Sequence, residues 1–255
     1  MEKRVFIHDK DHDIPVIIEL PDQKDIYPCV ILLHGLLAYK EGDGYLLRKL
    51  SKKLVSNQIA TVRFDFASMG ENRYGRKNYH LKTMQQEMET VFSYIQKQET
   101  INPQKIGVIG HSLGGMVACL TAHLESACIV TLNGVLSLDK AEFIRQILPF
   151  DHNREYGIIQ TSDGRQELLY ESFFTESIGC IRSYSFSYEK SMLICLGDQD
   201  PTIPNSLGLN FAQKENKEVL IIKNANHTFN AKLKDDAKVY EMADKVNEWL
   251  DIHLK

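Results

Sequence analysis

The chain lacks any apolar run long enough to cross a membrane, and its first residues carry no apolar core of signal-peptide length. Residues 1–9, MEKRVFIHD, combine charged side chains with a short apolar stretch instead. These absences argue against an integral membrane protein and against a secreted precursor. We therefore expect a cytoplasmic protein with no membrane partner.

Cysteine is scarce and shows no paired pattern. The five cysteines are an odd number, so they cannot all form disulfides, and Cys29, Cys119, Cys128 and Cys195 lie in apolar stretches. Neither close cysteine pairs nor an HxxxH pair or carboxylate cluster with ligand spacing stands out. The sequence predicts buried thiols, no metal and no cofactor, and leaves reactive thiol chemistry open only at Cys180.

A strong charge of one sign is missing as well. Lys and Arg number 30 against 34 Asp and Glu, which gives a net charge of −4. Because the basic residues are dispersed and form no stripe interleaved with aromatics, we expect no nucleic-acid partner. With 255 residues, of which 43% are hydrophobic, the chain can bury one large core, and we expect a single domain over residues 1–255.

The most informative motif that is present is Gly110-His111-Ser112-Leu113-Gly114. The apolar residues 105–109 before it predict a buried strand, and residues 115–124 after it predict a buried helix. On such a strand-to-helix turn, flanking glycines allow a strained backbone that pushes the serine hydroxyl into a cleft. The motif predicts that Ser112 is a nucleophile, the alternative being a turn serine without chemistry.

A serine hydroxyl attacks only when a base takes its proton, and later loops supply the necessary groups. Asp198 and Asp200 lie in the loop after an apolar stretch at 191–197, and His227 follows a short apolar stretch at 219–223. The order Ser112, carboxylate, His227 matches one of the known orders of catalytic triads.

The apolar stretches alternate with amphipathic ones, which predicts an α/β fold with a mainly parallel eight-stranded sheet and helices on both faces. The first two strands are expected to form an antiparallel edge. Strands are predicted at 4–8, 14–20, 28–33, 59–64, 105–109, 128–132, 191–196 and 218–223, and helices at 44–57, 84–96, 115–124 and 237–250.

Over essentially its whole length the chain resembles the serine α/β-hydrolases. The matching stretches are His34-Gly35-Leu36, residues 63–66 (RFDF), the Gly110–Gly114 motif, and residues 197–204 (GDQDPTIP) before His227. The run 34–40 and the insertion before the acid-bearing strand are most similar to bacterial cinnamoyl and feruloyl esterases. The resemblance implies the α/β-hydrolase fold and a serine carboxylic ester hydrolase.

The resemblance also assigns roles to individual residues. His227 is the expected base, and Asp200 is preferred over its rival Asp198 because Gly197-x-x-Asp200-x-x-Ile203-Pro204 matches the family pattern. The backbone N–H groups of Leu36 and Leu113 are the expected oxyanion hole, with His34 orienting the first of these loops. Residues 65–72 (DFASMGEN) depart from the family's glycine-rich, serine-ended turn.

Residues 136–190 interrupt the strand and helix alternation, and we interpret them as a cap inserted over the active site. Most of their aromatic side chains are expected to pack this cap onto the body, and a few to line an acyl or aryl pocket. These aromatics are Phe143, Phe150, Tyr156, Tyr170, Phe173, Phe174, Tyr184, Phe186 and Tyr188.

The expected activity is hydrolysis of small acyl or aryl esters through an acyl-enzyme, with a small-molecule ester as the partner. An acyltransferase or a thioesterase would use the same triad, so both stay open as alternatives. A non-catalytic ligand-binding protein of the same fold is the alternative from another class. The sequence is also compatible with a homodimer.

Overall fold

The computed structural model describes residues 1–22, 26–136, 155–161, 164–182, 185–233 and 236–254. Its strands, numbered in chain order, are β1 (Glu2–Asp9), β2 (His12–Glu19), β3 (Tyr27–Leu33), β4 (Ala60–Phe64), β5 (Ile101–His111), β6 (Cys128–Leu132), β7 (Tyr156–Gln160), β8 (Gln166–Tyr170), β9 (Ser191–Gly197) and β10 (Glu218–Ile222).

Eight of these strands form one sheet in the order β1-β2-β4-β3-β5-β6-β9-β10. β1 pairs antiparallel with β2, and β2 pairs antiparallel with β4, whereas the remaining pairs are parallel. The predicted eight-stranded, mainly parallel sheet with an antiparallel edge is therefore confirmed. Because the carboxyl ends of parallel strands meet at one edge, the loops after β3, β4, β5, β6, β9 and β10 lie close together.

Helices cover both faces of the sheet. They are α1 (Leu46–Ser56), α2 (Leu81–Gln96), α3 (Leu113–Leu120), α4 (Glu171–Arg182), α5 (Asn205–Glu215) and α6 (Ala237–His253). Leucines of α1 and apolar residues of α6 form the core on one face. Residues of α2, α3, α4 and α5 contribute to the core on the other. The central strand β3 is buried along its whole length, as expected for a sheet covered on both sides.

Helices α4 and α5 and strands β7 and β8 were not among the sequence predictions. Helix α5 buries only the small residues Gly208 and Ala212. It therefore lacks the stripe of large apolar side chains by which an amphipathic helix is recognised in a sequence. Strands β7 and β8 pair with each other as an antiparallel two-stranded sheet, in which β7 has no buried residue and β8 buries Glu167 and Leu169.

The described part of the insertion at 136–190 consists chiefly of the β7–β8 hairpin and helix α4. The expectation that aromatics pack this segment onto the body holds for Phe173, Phe174 and Tyr188, which are buried in the core. Phe143, Phe150 and Tyr184 lie outside the described residues. The interpretation of the segment as a cap remains a prediction.

None of the five cysteines, all of which lie in the described ranges, forms a disulfide, and Cys29, Cys119, Cys128 and Cys195 are buried. Burial raises the pKa of Cys119 and Cys128 to about 12, so these thiols behave as small apolar side chains. Cys180 is half-buried on α4. Within the described ranges, none of the helices has the length and apolar character that crossing a membrane requires.

Candidate active site

Ser112 stands between the end of β5 and the start of α3 in a backbone conformation that is unfavourable for serine, with φ 53° and ψ −118°. Hydrogen bonds hold the turn, since Ser112 N–H donates to the Leu132 carbonyl at 3.0 Å and the Ser112 carbonyl accepts from Gly115 N–H at 3.0 Å. A Cβ atom at Gly110 would collide with the backbone of Gly114. The close packing of this turn explains the two glycines of the motif.

His227 and Asp200 come from the loops after β10 and β9 and contact each other directly. His227 Nδ1 and Asp200 Oδ2 are 2.7 Å apart, and the Asp200 side chain is fully buried. The other carboxylate oxygen, Oδ1, accepts hydrogen bonds from the N–H groups of Thr202 at 2.7 Å and Ile203 at 3.0 Å. Burial alone would raise the pKa of Asp200, but the hydrogen bond and charge of His227, together with the N–H groups of Ile203 and Thr202, outweigh it and lower the pKa below its ordinary value. The carboxylate is therefore ionised at neutral pH and can accept a hydrogen bond from Nδ1–H of the imidazole.

Asp198, the other candidate acid in the sequence, contacts residues of the loop after β10 other than His227. Its Oδ1 accepts from Asn224 N–H at 2.6 Å, and its Oδ2 lies 3.7 Å from Lys223 Nζ. These contacts join the loops after β9 and β10. Asp198 thus supports the loop that carries His227, whereas Asp200 contacts the imidazole itself.

His111 in the serine turn and Asn133 directly after β6 both hold the histidine loop, a role that the sequence did not reveal. His111 Nε2–H donates to the His227 carbonyl at 2.9 Å, and the two rings lie 4.9 Å apart. Burial and the nearby His227 lower the pKa of His111 to about 4, so it is neutral at pH 7. Asn133 Nδ2 donates to the same carbonyl at 2.9 Å. The polar Asn133 directly after a buried strand was the available signal.

The loop after β3 lies against Ser112. A Cβ atom built on Gly35 would approach Ser112 Cβ to 3.2 Å, so a side chain at this position would press on the serine. His34 Nδ1–H donates to the Gly35 carbonyl at 2.8 Å, and His34 Nε2 accepts from Phe66 N–H at 3.1 Å. Burial lowers the pKa of His34 and keeps it neutral, as the acceptor role of Nε2 requires. The ring therefore fixes the peptide group whose N–H belongs to Leu36.

Leu113 supplies the other expected N–H group. It is the first residue of α3, and the first N–H groups of a helix have no acceptor within the helix. The structure thus brings Ser112, Leu113 and the loop of Leu36 together, with His227 and Asp200 joined to them through His111. Their roles in catalysis stay predictions at this point.

The loop at 65–72, which departs from the family pattern, is built around the buried Asp65. Its carboxylate accepts from Lys40 N–H at 2.7 Å and from Lys40 Nζ at 2.6 Å, and Glu71 N–H donates to it at 3.0 Å. Gly70 has φ +51°, and a Cβ atom there would collide with the Asp65 carboxylate. The unusual sequence therefore anchors the end of the loop that began at His34.

The described residues bring no group of three or more histidine, cysteine or carboxylate side chains together in a way that would hold a metal ion. They do bring together a serine in a strained turn, an imidazole in contact with a buried carboxylate, and the loop of Leu36 against the serine. Residues of these types are the ones that acyl transfer by covalent catalysis requires.

Comparison with known proteins places this arrangement in context. Residues 28–156 match the family model described as alpha/beta hydrolase fold. Among solved structures, the chain is similar to Est1E from Butyrivibrio proteoclasticus with ferulic acid bound, at a TM-score of 0.81 and 20% identity, over 98% of each chain. At this identity the similarity concerns the fold.

Curated relatives match over part of their length. The 2,6-dihydropseudooxynicotine hydrolase of Paenarthrobacter nicotinovorans is 33% identical over 122 residues, which are 46% of this chain and 31% of that protein. An uncharacterized 31.7 kDa protein of Escherichia coli is 30% identical over 113 residues, which are 44% of this chain and 38% of that protein. The matched segment therefore spans less than half of either relative.

Proposed function

The chain belongs to the α/β-hydrolase fold family, and from this premise we propose that it is a serine carboxylic ester hydrolase. Ser112 is the nucleophile, His227 the base and Asp200 the acid of the triad. The observation that carries the proposal is the 2.7 Å contact between His227 Nδ1 and the buried Asp200 carboxylate, beside a serine in a strained turn. A complete set of this kind has a clear use in acyl transfer and none in passive binding.

The first half of the reaction forms an acyl-enzyme. Ser112 Oγ bonds to the ester carbonyl carbon while its proton passes to His227 Nε2, and the carbonyl π electrons move onto the oxygen. Collapse of this tetrahedral intermediate breaks the bond to the alcohol oxygen, which takes the proton from His227. Asp200 keeps Nδ1 protonated and stabilises the imidazolium that forms between these steps.

The second half releases the acid. Water bonds to the acyl carbon, His227 takes one of its protons, and the bond to Ser112 Oγ breaks as the serine regains a proton. In both halves the negative oxygen is held by the N–H groups of Leu36 and Leu113. One such donor contributes about 3 kcal/mol to lowering a barrier of this type.

Small acyl or aryl esters are the substrate class that we assign. The similar structure from B. proteoclasticus was solved with ferulic acid, an aryl acid, and the relative from P. nicotinovorans is named a hydrolase. These names support hydrolysis and an aryl or acyl pocket for this chain.

The test is hydrolysis of p-nitrophenyl esters of increasing acyl length, together with methyl ferulate, by wild type and Ser112→Ala. Ser56→Ala is a matched control, because Ser56 is an exposed residue at the end of α1 whose Oγ donates to the Lys53 carbonyl. We expect Ser112→Ala to lose at least about 10⁴-fold in kcat and Ser56→Ala to stay at the wild-type rate.

Two results would contradict the proposal. Turnover that survives in Ser112→Ala would remove the serine from the mechanism. A wild type that hydrolyses none of these esters, but forms an acyl adduct discharged by an added alcohol or thiol, would identify an acyltransferase instead.

A further inference from the structure

Leu37, next to the expected oxyanion donor Leu36, is held from both sides by distant side chains. Leu37 N–H donates to the hydroxyl oxygen of Tyr79 at 2.6 Å, and the Leu37 carbonyl accepts from Arg165 Nη2 at 2.9 Å. The first bond fixes the peptide group that joins Leu36 to Leu37. The second fixes the peptide group that follows. Both bonds therefore act on the backbone that sets the direction of the Leu36 N–H.

The backbone of Leu37 needs such support. Its φ is 54°, in the left-handed region that residues with a Cβ atom rarely adopt, and its side chain is buried. A strained conformation of this kind persists only where the surroundings determine it. The hydrogen bonds that Leu37 makes with Tyr79 and Arg165 can hold this conformation. Leu37 has no polar side chain that could do so.

The residue on the N–H side, Tyr79, is itself held firmly. Its side chain is buried, and its ring stacks on Phe173 of helix α4 with centroids 5.8 Å apart and an interplanar angle of 16°. Tyr79 follows the turn at Arg76–Asn78, and Phe173 belongs to the inserted segment. The insertion therefore supports the residue that accepts the Leu37 N–H.

The residue on the carbonyl side belongs to the insertion directly. Arg165 immediately precedes β8, and its Nη1 binds Glu167 Oε1 at 2.6 Å. Glu167 also pairs with Arg76, in the turn that precedes Tyr79. The Arg165 guanidinium lies over the ring of Tyr39, 5.6 Å from its centroid. These contacts fix the guanidinium, so that it can orient the carbonyl of Leu37.

We propose that Tyr79 and Arg165 are positioning residues that hold the Leu36 N–H in its oxyanion-binding direction, so that the inserted β7–β8 hairpin completes the oxyanion hole. This inference rests on the proposed function, because the N–H has a catalytic purpose only if an oxyanion forms. Donors of this kind act at 2.7–3.1 Å from the oxyanion. A small rotation of the Leu36 and Leu37 peptides is therefore enough to lose the interaction.

Three variants and one control separate positioning from general stability. Tyr79→Phe removes the acceptor but keeps the ring that stacks on Phe173, and Arg165→Met removes the donor. Arg165→Lys keeps a donor and should recover most of the loss. Lys77→Gln is the matched control, because it breaks the exposed 2.7 Å pair with Glu155, which also joins this turn to the insertion but does not reach Leu37.

The readouts are kcat and KM on a p-nitrophenyl ester, the inhibition constant of a short alkyl trifluoromethyl ketone, and the melting temperature by circular dichroism. The ketone tests the hole directly. Ser112 Oγ bonds to its carbonyl carbon, the serine proton passes to His227, and the carbonyl electrons form a stable oxyanion on the ketone oxygen.

For Tyr79→Phe and Arg165→Met we expect kcat to fall about 10- to 100-fold, the cost of a misplacement on the scale of an ångström. The ketone inhibition constant should rise by the same factor. KM should change less than about twofold, because the ester ground state carries no oxyanion to be held. Arg165→Lys should lie near wild type, and Lys77→Gln should match it.

Unchanged kcat and ketone binding in folded variants, with only a lower melting temperature, would overturn the inference and leave the hydrolase function standing. A change confined to KM would do the same. If wild type itself hydrolyses no ester and binds no ketone, the proposed function fails and the inference falls with it, which distinguishes the two cases.

Discussion

Replacing Asp200 by asparagine tests the assignment of the acid, and the structure says how the new side chain must lie. Asp200 Oδ1 accepts the N–H groups of Thr202 and Ile203, so an asparagine will keep its carbonyl oxygen at that position. Its NH₂ group is then forced toward His227 Nδ1. Because that group can only donate, Nδ1 must become an acceptor and the imidazole proton must move to Nε2.

The imidazole in that tautomer cannot take the proton of Ser112, because Nε2 already carries one. A change of this kind in a triad lowers kcat about 10⁴-fold while leaving the geometry intact. At about 1.36 kcal/mol for each factor of ten, the loss corresponds to about 5.5 kcal/mol in the barrier. The expected loss comes from one misplaced proton rather than from a disturbed fold.

The assay is kcat for p-nitrophenyl ester hydrolysis at neutral pH, with Asp198→Asn as the control. Asp198 lies two residues earlier in the same loop, but its carboxylate contacts Asn224 N–H and Lys223. The exposed pair with Lys223 contributes roughly 0–1 kcal/mol, so Asp198→Asn should stay close to the wild-type rate. Activity of Asp200→Asn within tenfold of wild type, or a larger loss in Asp198→Asn, would refute the reasoning.

Two further predictions concern stability. Lys40→Met leaves the buried Asp65 carboxylate without its 2.6 Å cationic partner, so unfolding in urea should show a loss of about 3–5 kcal/mol, and a loss below about 1 kcal/mol would contradict this. The lowered pKa of Asp200 in the folded state means that its pairing with His227 stabilises the protein fully above the ordinary value of 3.8 and less as the pH falls through the folded-state pKa. The stability difference between wild type and Asp200→Asn should therefore shrink as the solution is made more acid than pH 3.8, and a difference that grows there would oppose the prediction.

The centre of the sheet could be predicted from the sequence because its strands are continuous apolar runs separated by polar loops. β3 and β6, for example, are buried at every position, and no other element explains such short runs as simply. Helix α5 was not predicted because its buried residues, Gly208 and Ala212, bury little apolar surface. The β7–β8 hairpin was not predicted because its strand sequences, YGIIQ and QELLY, show no alternation of apolar and polar residues.

The candidate site was likewise predictable from the sequence only in part. Ser112, Asp200 and His227 could be named because motif and chain order point to them, and the structure places Asp200, not Asp198, against the imidazole. The supports of the Leu37 backbone could not be named. Tyr79 and Arg165 lie 42 and 128 residues from Leu37 in the sequence, and no local pattern marks a side chain that acts on a distant peptide group.

The backbone of Ser112 also has a consequence for the evolution and engineering of this protein. A residue held at such φ and ψ values costs about 1–3 kcal/mol, against a net stability of about 5–15 kcal/mol for a typical domain. Glycine tolerates positive φ without this cost. Selection for thermal stability alone would therefore favour loss of the very hydroxyl on which the proposed activity depends, so at this residue stability and the proposed catalysis are opposed.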